Sequence, residues 1–426
     1  MKTYAQMNAQ ELEAEYQSVQ LKYNAFKARG LSLDMSRGKP SSAQLDLSMD
    51  MLDTISSDRK LRTSAGMDAR GYGQLDGIPE TRQLFAEILG VDPDWILIGG
   101  NSSLNMMFDC ISWAESLGVM GSVPWAKLDK VKFLCPVPGY DRHFAICELF
   151  GIEMVNIPMN NDGPDMDLVE QYVSQDESVK GIWCVPMYSN PTGITYSDEV
   201  VRRFAALKPA AKDFRIYWDN AYCVHHVTDT PDQLLNIFDE CQKQGSEDLV
   251  YEFSSTSKIS FSGAGIALMA ASERNMADLK AKRSIQTIGP NKINQLMHTR
   301  YFRSSQGILN HMEKHRALIK PKFEAVFQAL DRELAPLGIA EYTHPNGGYF
   351  ISFNTLPGCA KRVGELCSEA GVVLTAVGAT YPYGKDPENR NIRIAPTFPP
   401  VEELELALEL FCLSVRMASC EKFLSA

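Results

Sequence analysis

The sequence has 426 residues, 45% of them hydrophobic and 22% charged, which is enough for two or three globular domains. Its formal net charge of −11 argues against nucleic acid and anionic membranes as partners. The ten cysteines lack metal-site spacing, and no apolar signal core or transmembrane-length run is present, so we expect a cytoplasmic protein that holds no metal.

The first predicted element is a helix in the segment "NAQELEAEYQSVQLKYNAFKARG". Asn8, followed three residues later by Glu11, is typical of a helix N-cap, and Gly30 marks the end. The next segment, "LDMSRGKPSSAQLDL", is predicted to be irregular because Gly38 and Pro40 interrupt it.

From about Tyr72 onward, short apolar runs alternate with longer amphipathic segments. The runs are "WILIGG", "VKFLCPVP", "GIWCVPMY", "FRIYWDNAY", "LVYEFSS" and "GIALMAA". This alternation predicts an α/β fold, in which helices cover a mostly parallel sheet. After about Asn291 helical patterns dominate, with strand candidates in "GGYFISF" and "NIRIAP" and a long last helix. We expect a large domain at 51–290 and a smaller α+β domain formed by 1–50 and 291–426.

In parallel sheets ligands bind at the carboxyl ends of the strands, so the residues after each run are candidates for chemistry. Asn101 and Ser102 open a helix and can bind an anion, although a simple helix cap also explains them. Tyr140 offers an aromatic face or simply packs, and Asn190 lies in a turn-forming "NPTG". Asp219 closes an apolar run, where a carboxylate either meets a cation or donor or caps a helix.

Lys258 lies in the Ser/Gly-rich stretch "SSTSKISFSGAG", between two apolar runs. Most lysines are solvated surface residues, but burial lowers the pKa of an amine and makes it a nucleophile. One cofactor, pyridoxal 5′-phosphate, suits the groups found at successive strand ends. These groups are an anion site, an aromatic face, an asparagine, a carboxylate and a lysine.

Eight motifs then occur in a recognisable order. They are "RGKP", "GYGQLDGIPETR", "GGNSS", "PVPGY", "NPTG", "DNAY", "SSTSK" and "IRIAP". Over nearly its whole length the chain resembles the class I (fold-type I) pyridoxal-phosphate aminotransferases, and among them a divergent branch of aspartate aminotransferases. The resemblance implies a seven-stranded-type, mostly parallel sheet in the large domain, and a homodimer with shared active sites.

The resemblance also assigns roles to individual residues. Lys258 forms the internal aldimine with the cofactor and moves the proton between Cα and C4′. Asp219 pairs with the pyridinium nitrogen, and Tyr222 and Asn190 hydrogen-bond the phenolic oxygen. Arg393 clamps the substrate α-carboxylate bidentately, as guanidinium geometry allows.

Further roles concern the cofactor ring, the phosphate and the substrate. Tyr140 lies against the ring, and Gly38 belongs to the segment that closes over the substrate. Tyr72 reaches the phosphate from the neighbouring subunit. The residues expected around the phosphate within the same subunit are Asn101, Ser102, Ser103, Ser255 and Ser257.

One departure from the family pattern concerns the phosphate. Most relatives carry an arginine seven or eight residues after the lysine, where this chain has Gly265 and Ile266. More hydroxyls, or a cation such as Lys292, are the candidate replacements. A second cation or several donors are also needed for a distal substrate carboxylate, and the candidates are Lys292, Asn294, Arg37 and Lys39.

The expected activity is ping-pong transfer of an amino group between an amino acid, aspartate by resemblance, and 2-oxoglutarate. The alternatives are a lyase or decarboxylase using the same cofactor, or an aminotransferase that prefers aromatic amino acids, alanine or aminoadipate. A transcription regulator with an aminotransferase-like domain is disfavoured, because the 36 residues before Arg37 predict one helix and no DNA-reading element.

Overall fold

The computed structural model of the protein describes residues 2–57 and 60–425. The described residues form thirteen α-helices and thirteen β-strands. The helices are α1 (Ala9–Lys27), α2 (Ser42–Asp46), α3 (Pro79–Leu89), α4 (Ser103–Leu117), α5 (Asp141–Phe150), α6 (Met166–Gln175), α7 (Asp198–Ala205), α8 (Ile237–Gln244), α9 (Glu273–Gln286), α10 (Lys292–Phe302), α11 (Ser305–Glu333), α12 (Ala360–Glu369) and α13 (Val401–Leu424). The strands are β1 (Leu33–Asp34), β2 (Ile96–Ile98), β3 (Lys132–Val137), β4 (Glu153–Asn160), β5 (Gly163–Pro164), β6 (Val179–Cys184), β7 (Arg215–Asp219), β8 (Val250–Ser255), β9 (Ala267–Ala271), β10 (Ala340–Tyr342), β11 (Ile351–Thr355), β12 (Val372–Val373) and β13 (Asn391–Ile394).

The central sheet has the strand order β2-β9-β8-β7-β6-β3-β4-β5. Strands β4, β3, β6, β7 and β8 pair in parallel, whereas β9 runs antiparallel to both β8 and β2. The two-residue strand β5 adds an eighth, antiparallel edge to the seven strands expected. The predicted α/β fold with a mostly parallel sheet is therefore confirmed.

Both faces of this sheet are buried, which explains the unbroken apolar runs. On β7, Ile216 and Trp218 pack into the core on one face, and Tyr217 packs into the core on the other. Because successive side chains of a strand point to opposite faces, each position must then be apolar. The same geometry brings the carboxyl ends of the parallel strands to one edge, where the candidate site lies.

A third core joins α1, α11, α12 and α13 with the three-stranded antiparallel sheet β10-β11-β13 and the parallel pair β1-β12. The Asn8–Glu11 capping box of α1 is present, as predicted. The expected domain boundary at residue 290 stays a prediction. Met297 and Phe302, beyond that boundary, pack in the core of the large sheet.

The segment after Gly38, predicted to be irregular, contains the short helix α2. Its Gln44 is fully buried, whereas Ser42, Ala43 and Asp46 are exposed, so the helix lies at the surface with one side chain directed inward. None of the helices in the described ranges is long and apolar enough to cross a membrane.

Candidate active site

The carboxyl edge of the central sheet gathers most of the predicted site residues. Asp219 and Ser255 are the last residues of β7 and β8, and Lys258 follows β8 by three residues. Ser102 precedes α4, and Tyr140 precedes α5, each after its own strand. Fold topology thus brings together side chains that are far apart along the chain.

Asp219 is 3% exposed, and only one of its two carboxylate oxygens has a hydrogen-bond partner among the described residues. Its Oδ2 accepts a hydrogen bond from Nε2 of His143 at 3.0 Å. The His143 ring stacks on Trp183 at 4.5 Å between centroids and meets the edge of Tyr140 at 4.9 Å. The other oxygen, Oδ1, is buried without a hydrogen-bond partner among the described residues, which is costly for a carboxylate unless a ligand supplies a donor.

Lys258 is partly buried and has aromatic neighbours. Its Nζ lies 5.0 Å from the ring centroid of Tyr222 and 5.7 Å from that of Tyr349. Burial lowers the pKa of the Lys258 amine, and the Asp219 carboxylate opposes this shift. The Lys258 carbonyl faces Nε2 of His225 at 3.4 Å.

Two phenols near these groups stay protonated. Burial raises the pKa of Tyr222 well above its ordinary value. Burial, followed by the charges of Asp219 and Asp141, raises the pKa of Tyr140 to about 12. Both hydroxyls are therefore hydrogen-bond donors near neutral pH.

Arg393 lies on β13, opposite Ser352, and is 8% exposed. One terminal nitrogen, Nη1, donates to Oδ1 of Asp141 at 2.8 Å and to Oδ1 of Asn190 at 3.3 Å. Its Nε is buried without a partner in the described part of the chain. The guanidinium thus keeps an unfilled edge, which is what a carboxylate needs for bidentate binding.

Gly38 and Arg393 both lie against the ring of Phe350. The Arg393 guanidinium lies 4.9 Å from the centroid of Phe350. A Cβ atom at Gly38 would lie 2.0 Å from Cζ of the same ring, so only glycine permits this approach. The segment around Gly38 is therefore packed next to the predicted carboxylate clamp.

The predicted phosphate residues lie around the start of α4. Ser102 is the N-cap residue of α4 but makes no capping hydrogen bond, and Ser103 is the first helical residue. Ser255 Oγ donates to Ser257 Oγ at 3.1 Å, and Ser257 Oγ donates to the carbonyl of Asn101 at 3.1 Å. The Asn101 amide instead holds the loop after Lys258, through the carbonyls of residues 262 and 263.

Gly265 lies where the surrounding atoms leave no room for a side chain. A Cβ atom there would lie 2.8 Å from Oγ1 of Thr256 and 3.0 Å from the carbonyl of Phe261. The backbone carbonyl of Gly265 accepts a hydrogen bond from the Asn294 amide at 2.8 Å. An arginine at position 265 would therefore clash before its side chain could reach a phosphate.

Lys292 is 5% exposed, and its Nζ donates to the carbonyl of Gly73 at 3.0 Å. It thus anchors the loop that carries Tyr72. Tyr72 itself is 90% exposed, and within the described ranges no hydrogen bond or ring contact is found between it and another predicted site residue, so the fold does not bring it into the site of its own subunit.

Comparison with known proteins decides the family. The family model described as aspartate amino-transferase matches residues 7–426. An aspartate aminotransferase of Corynebacterium glutamicum is 46% identical over 99% of this chain and 100% of its own length. The chain belongs to the aspartate aminotransferase family. It is an aminotransferase, as the motif order predicted.

Solved structures agree with this family. The crystal structure of an aspartate transaminase from C. glutamicum superposes with a TM-score of 0.95 at 46% identity, over 98% of both chains. The α-aminoadipate aminotransferase of Thermus thermophilus, solved with N-(5′-phosphopyridoxyl)-L-leucine, shares the fold with a TM-score of 0.72 at 20% identity, over 93% of this chain and 95% of that one.

Aminotransferases of this family use pyridoxal 5′-phosphate, and the residues present fit it. The unpartnered Oδ1 of Asp219 suits a protonated ring nitrogen, the Lys258 amine suits the aldehyde, and the open start of α4 suits the phosphate.

Sequence reasoning missed several residues of this aminotransferase site. His143 had a local signal, because it follows Tyr140 by three residues on the first turn of a helix, which places both on one face. The ring of Tyr349 beside Lys258 and the ring of Phe350 beside Arg393 come from another core, and no local pattern marked them.

Proposed function

We propose that this aminotransferase moves the amino group of L-aspartate to 2-oxoglutarate with ping-pong kinetics. The observation that carries the proposal is that Lys258 and Asp219 lie at the carboxyl edge of the central sheet, and that the side chain of Arg393 reaches this edge from β13. Asp219 keeps a free acceptor and Arg393 keeps a free donor edge in the described chain. The choice of aspartate is supported by the relative named aspartate aminotransferase at 46% identity.

Asp219 and Lys258 take the two proton-handling roles. When bound, pyridoxal phosphate supplies an aldehyde that reacts with amines and a protonated ring that withdraws electrons. Asp219 Oδ1 would accept a hydrogen bond from the nitrogen of that ring, while His143 holds the second oxygen in place. Lys258, whose pKa is lowered by burial, takes the Cα proton of the amino acid as a neutral amine.

The polar groups nearby bind and orient. The Asn190 oxygen faces Arg393, so its NH₂ group is left to donate to the cofactor's phenolic oxygen together with the Tyr222 hydroxyl. Tyr140 packs edge to face beside His143, where it would lie next to the cofactor ring. The hydroxyls proposed for the phosphate are those of Ser102, Ser103, Ser255 and Ser257, with Asn101 closing the loop above them.

For the distal carboxylate of aspartate we propose the segment that contains Gly38. Arg37 pairs with Asp34 at 2.9 Å and its side chain is 59% exposed, while Lys39 lies over the ring of Phe398. Both flank the glycine that packs beside the Arg393 clamp. Lys292 and Asn294 are less suited, since backbone carbonyls already occupy their donors.

Initial rates with varied aspartate and 2-oxoglutarate test the proposal. Ping-pong kinetics predict parallel double-reciprocal lines, and intersecting lines would contradict them. A panel of aspartate, alanine, phenylalanine and 2-aminoadipate should give the highest kcat/KM for aspartate. Arg37→Ala or Lys39→Ala should lower kcat/KM for aspartate while alanine, as the matched control, is unaffected.

We further propose a homodimer in which Tyr72 reaches the partner's phosphate site. Tyr72, Ile285 and Ile288 are 90%, 85% and 60% exposed, which is unusual for large apolar side chains on a free surface. Tyr72 and Ile288 directly precede Gly73 and Gly289, whose backbones approach closely, since a Cβ at Gly289 would lie 2.5 Å from the carbonyl oxygen of Gly73.

Light scattering after size exclusion tests the dimer. Mixing inactive Tyr72→Ala and Lys258→Ala subunits should then restore one intact site in each mixed dimer. A monomer, or no regained activity in an exchanged mixture, would contradict this assembly.

The cytoplasmic location stays a prediction. It is supported by the ten cysteines, none of which forms a disulfide and nine of which are buried. Fractionation of the native host would test it, and recovery outside the cytoplasm would oppose it.

A further inference from the structure

The turn that follows Lys258 is held by buried histidines of α11. Nε2 of His311 lies 2.9 Å from the carbonyl oxygen of Ile259, the residue next to the lysine. A carbonyl can only accept, so this nitrogen carries the hydrogen and donates it. His315 lies one helical turn farther along, with its Nε2 3.2 Å from that of His311. The two residues are 3% and 1% exposed.

The hydrogen positions on His315 follow from Gln44. The Gln44 oxygen accepts from the backbone N–H of Ser41 at 3.1 Å, which leaves its NH₂ group to face inward. That group lies 3.2 Å from Nδ1 of His315 and 2.9 Å from the hydroxyl of Tyr349. Nδ1 of His315 must therefore accept, and its Nε2 carries the hydrogen and lies beside Nε2 of His311, which donates to the Ile259 carbonyl.

His315 is consequently neutral, and its ring packs edge to face against that of His311 with 4.9 Å between the centroids. Burial is the main cause that lowers the pKa of His315 to about 4, and burial also lowers the pKa of His311. A protonated His315 would turn a second N–H against the Gln44 amide. The contacts of His315 with Gln44 are therefore satisfied only when this ring is uncharged.

The contacts connect Lys258 with both cores. His311 and His315 lie on α11 between Ile308, in the core of the large sheet, and Ile319, in the third core. Gln44 lies a few residues after Gly38, in the segment proposed to cover the substrate. Its amide also holds Tyr349, whose ring is 5.7 Å from the Lys258 amine.

We propose that Gln44, His311 and His315 are positioning residues that orient the Lys258 amine, by fixing the Ile259 peptide on one side and the Tyr349 ring on the other. This inference rests on the proposed role of Lys258. Among the described residues no hydrogen bond joins any of the three to Arg393, so we expect them to act on proton transfer by Lys258 and not on carboxylate binding.

The expected effect is a loss in kcat at nearly constant KM. Loss of the His315 ring removes the support of His311, whose Nε2–H holds the Ile259 peptide, and misplacement of a catalytic group by about 1 Å lowers the rate by about 10- to 100-fold. The visible absorption band of the bound cofactor should titrate with a midpoint moved by about half a pH unit or more, since that midpoint reports the surroundings of the lysine. The groups facing the Lys258 amine, Asp219, Tyr222, Tyr349 and His225, are unchanged in these variants.

The experiment compares His315→Leu with His315→Gln, which keeps an N–H donor, and with Gln44→Leu. His344→Leu is the matched control, because His344 is exposed and stacks on Phe327 instead. Each holoenzyme is measured for kcat, KM and the pH titration of its absorption band. His315→Leu and Gln44→Leu should both lower kcat, and both should move the titration midpoint in the same direction. His315→Gln should restore most of the loss in kcat.

The proposal would be overturned if His315→Leu and Gln44→Leu had the same titration midpoint and the same kcat as the wild type. If His315→Leu does not fold, Gln44→Leu and His315→Gln decide the question by the same readouts. Borohydride reduction followed by peptide mapping distinguishes a failure of the proposed function from a failure of this inference. Cofactor fixed at a residue other than Lys258 contradicts the proposed function, whereas cofactor fixed at Lys258 with unaltered variants contradicts this inference alone.

Discussion

Glu252 is a buried carboxyl group that makes stability depend on pH. It lies on β8, is 3% exposed, and its Oε1 accepts a hydrogen bond from the Asn220 amide at 2.8 Å. Burial raises the pKa of Glu252 from 4.5 to about 7, and the Asn220 hydrogen bond offsets only part of that. Replacement by glutamine removes the charge and keeps an oxygen for Asn220.

The sign and size of the effect follow from proton linkage. Between pH 4.5 and 7 the folded protein holds a proton on Glu252 that the unfolded chain has released, so stability falls as pH rises through this range. A shift of this size corresponds to about 3 kcal/mol above pH 7. With about 0.9 kcal/mol/K of unfolding entropy for 426 residues, Glu252→Gln should raise Tm by about 3 °C at pH 8.

Thermal melting of the holoenzyme at pH 5 and pH 8 is the assay. Glu252→Gln should match the wild type at pH 5 and exceed it at pH 8. Glu324→Gln, at an exposed position on α11, is the matched control and should show no such difference. Equal melting temperatures of Glu252→Gln and wild type at pH 8, or a loss of stability at both pH values, would refute the reasoning.

Three further predictions concern the predicted carboxylate-binding residue Arg393, the enclosed Gly265 and two buried histidines. Arg393→Lys should raise KM for aspartate by about 10-fold or more while the cofactor spectrum is unchanged, because an ammonium cannot bind a carboxylate bidentately; an unchanged KM would contradict the clamp. Gly265→Arg should lose about 1–3 kcal/mol of stability through its clash with Thr256 and gain no cofactor affinity, and tighter binding in a cofactor titration would oppose this. Burial lowers the pKa values of His298 and His315 to about 4, so stability should be full above pH 6.5 and fall as pH drops toward 4; denaturant midpoints that do not change over this range would contradict it.

Sequence patterns predicted the central sheet because its strands are buried on both faces. Each of the six apolar runs contains one strand, including β7 and β8, whose ends carry Asp219 and Ser255. Strand β4 was missed because its residues alternate between buried and exposed, and this weaker pattern lacks a long apolar run. Strand ends could therefore be placed where burial was complete.

The candidate site was predictable only for residues that directly follow strands or belong to a family motif. Contacts between distant elements left no local pattern, as for Gln44, His311 and Tyr349 around the lysine turn. Lys292, considered as a replacement for the missing arginine, instead binds the backbone carbonyl of Gly73. A charge in a sequence does not reveal which partner the tertiary structure gives it.

A single half-reaction tests the central claim most directly. The purified, cofactor-loaded enzyme is mixed with L-aspartate in the absence of any 2-oxo acid, and its absorption spectrum and products are followed. The account predicts conversion of the visible band with one equivalent of the corresponding 2-oxo acid per subunit, and no conversion in Lys258→Ala. Failure of every amino acid to convert the band, or release of ammonia or CO₂ without dependence on a 2-oxo acid, would contradict it.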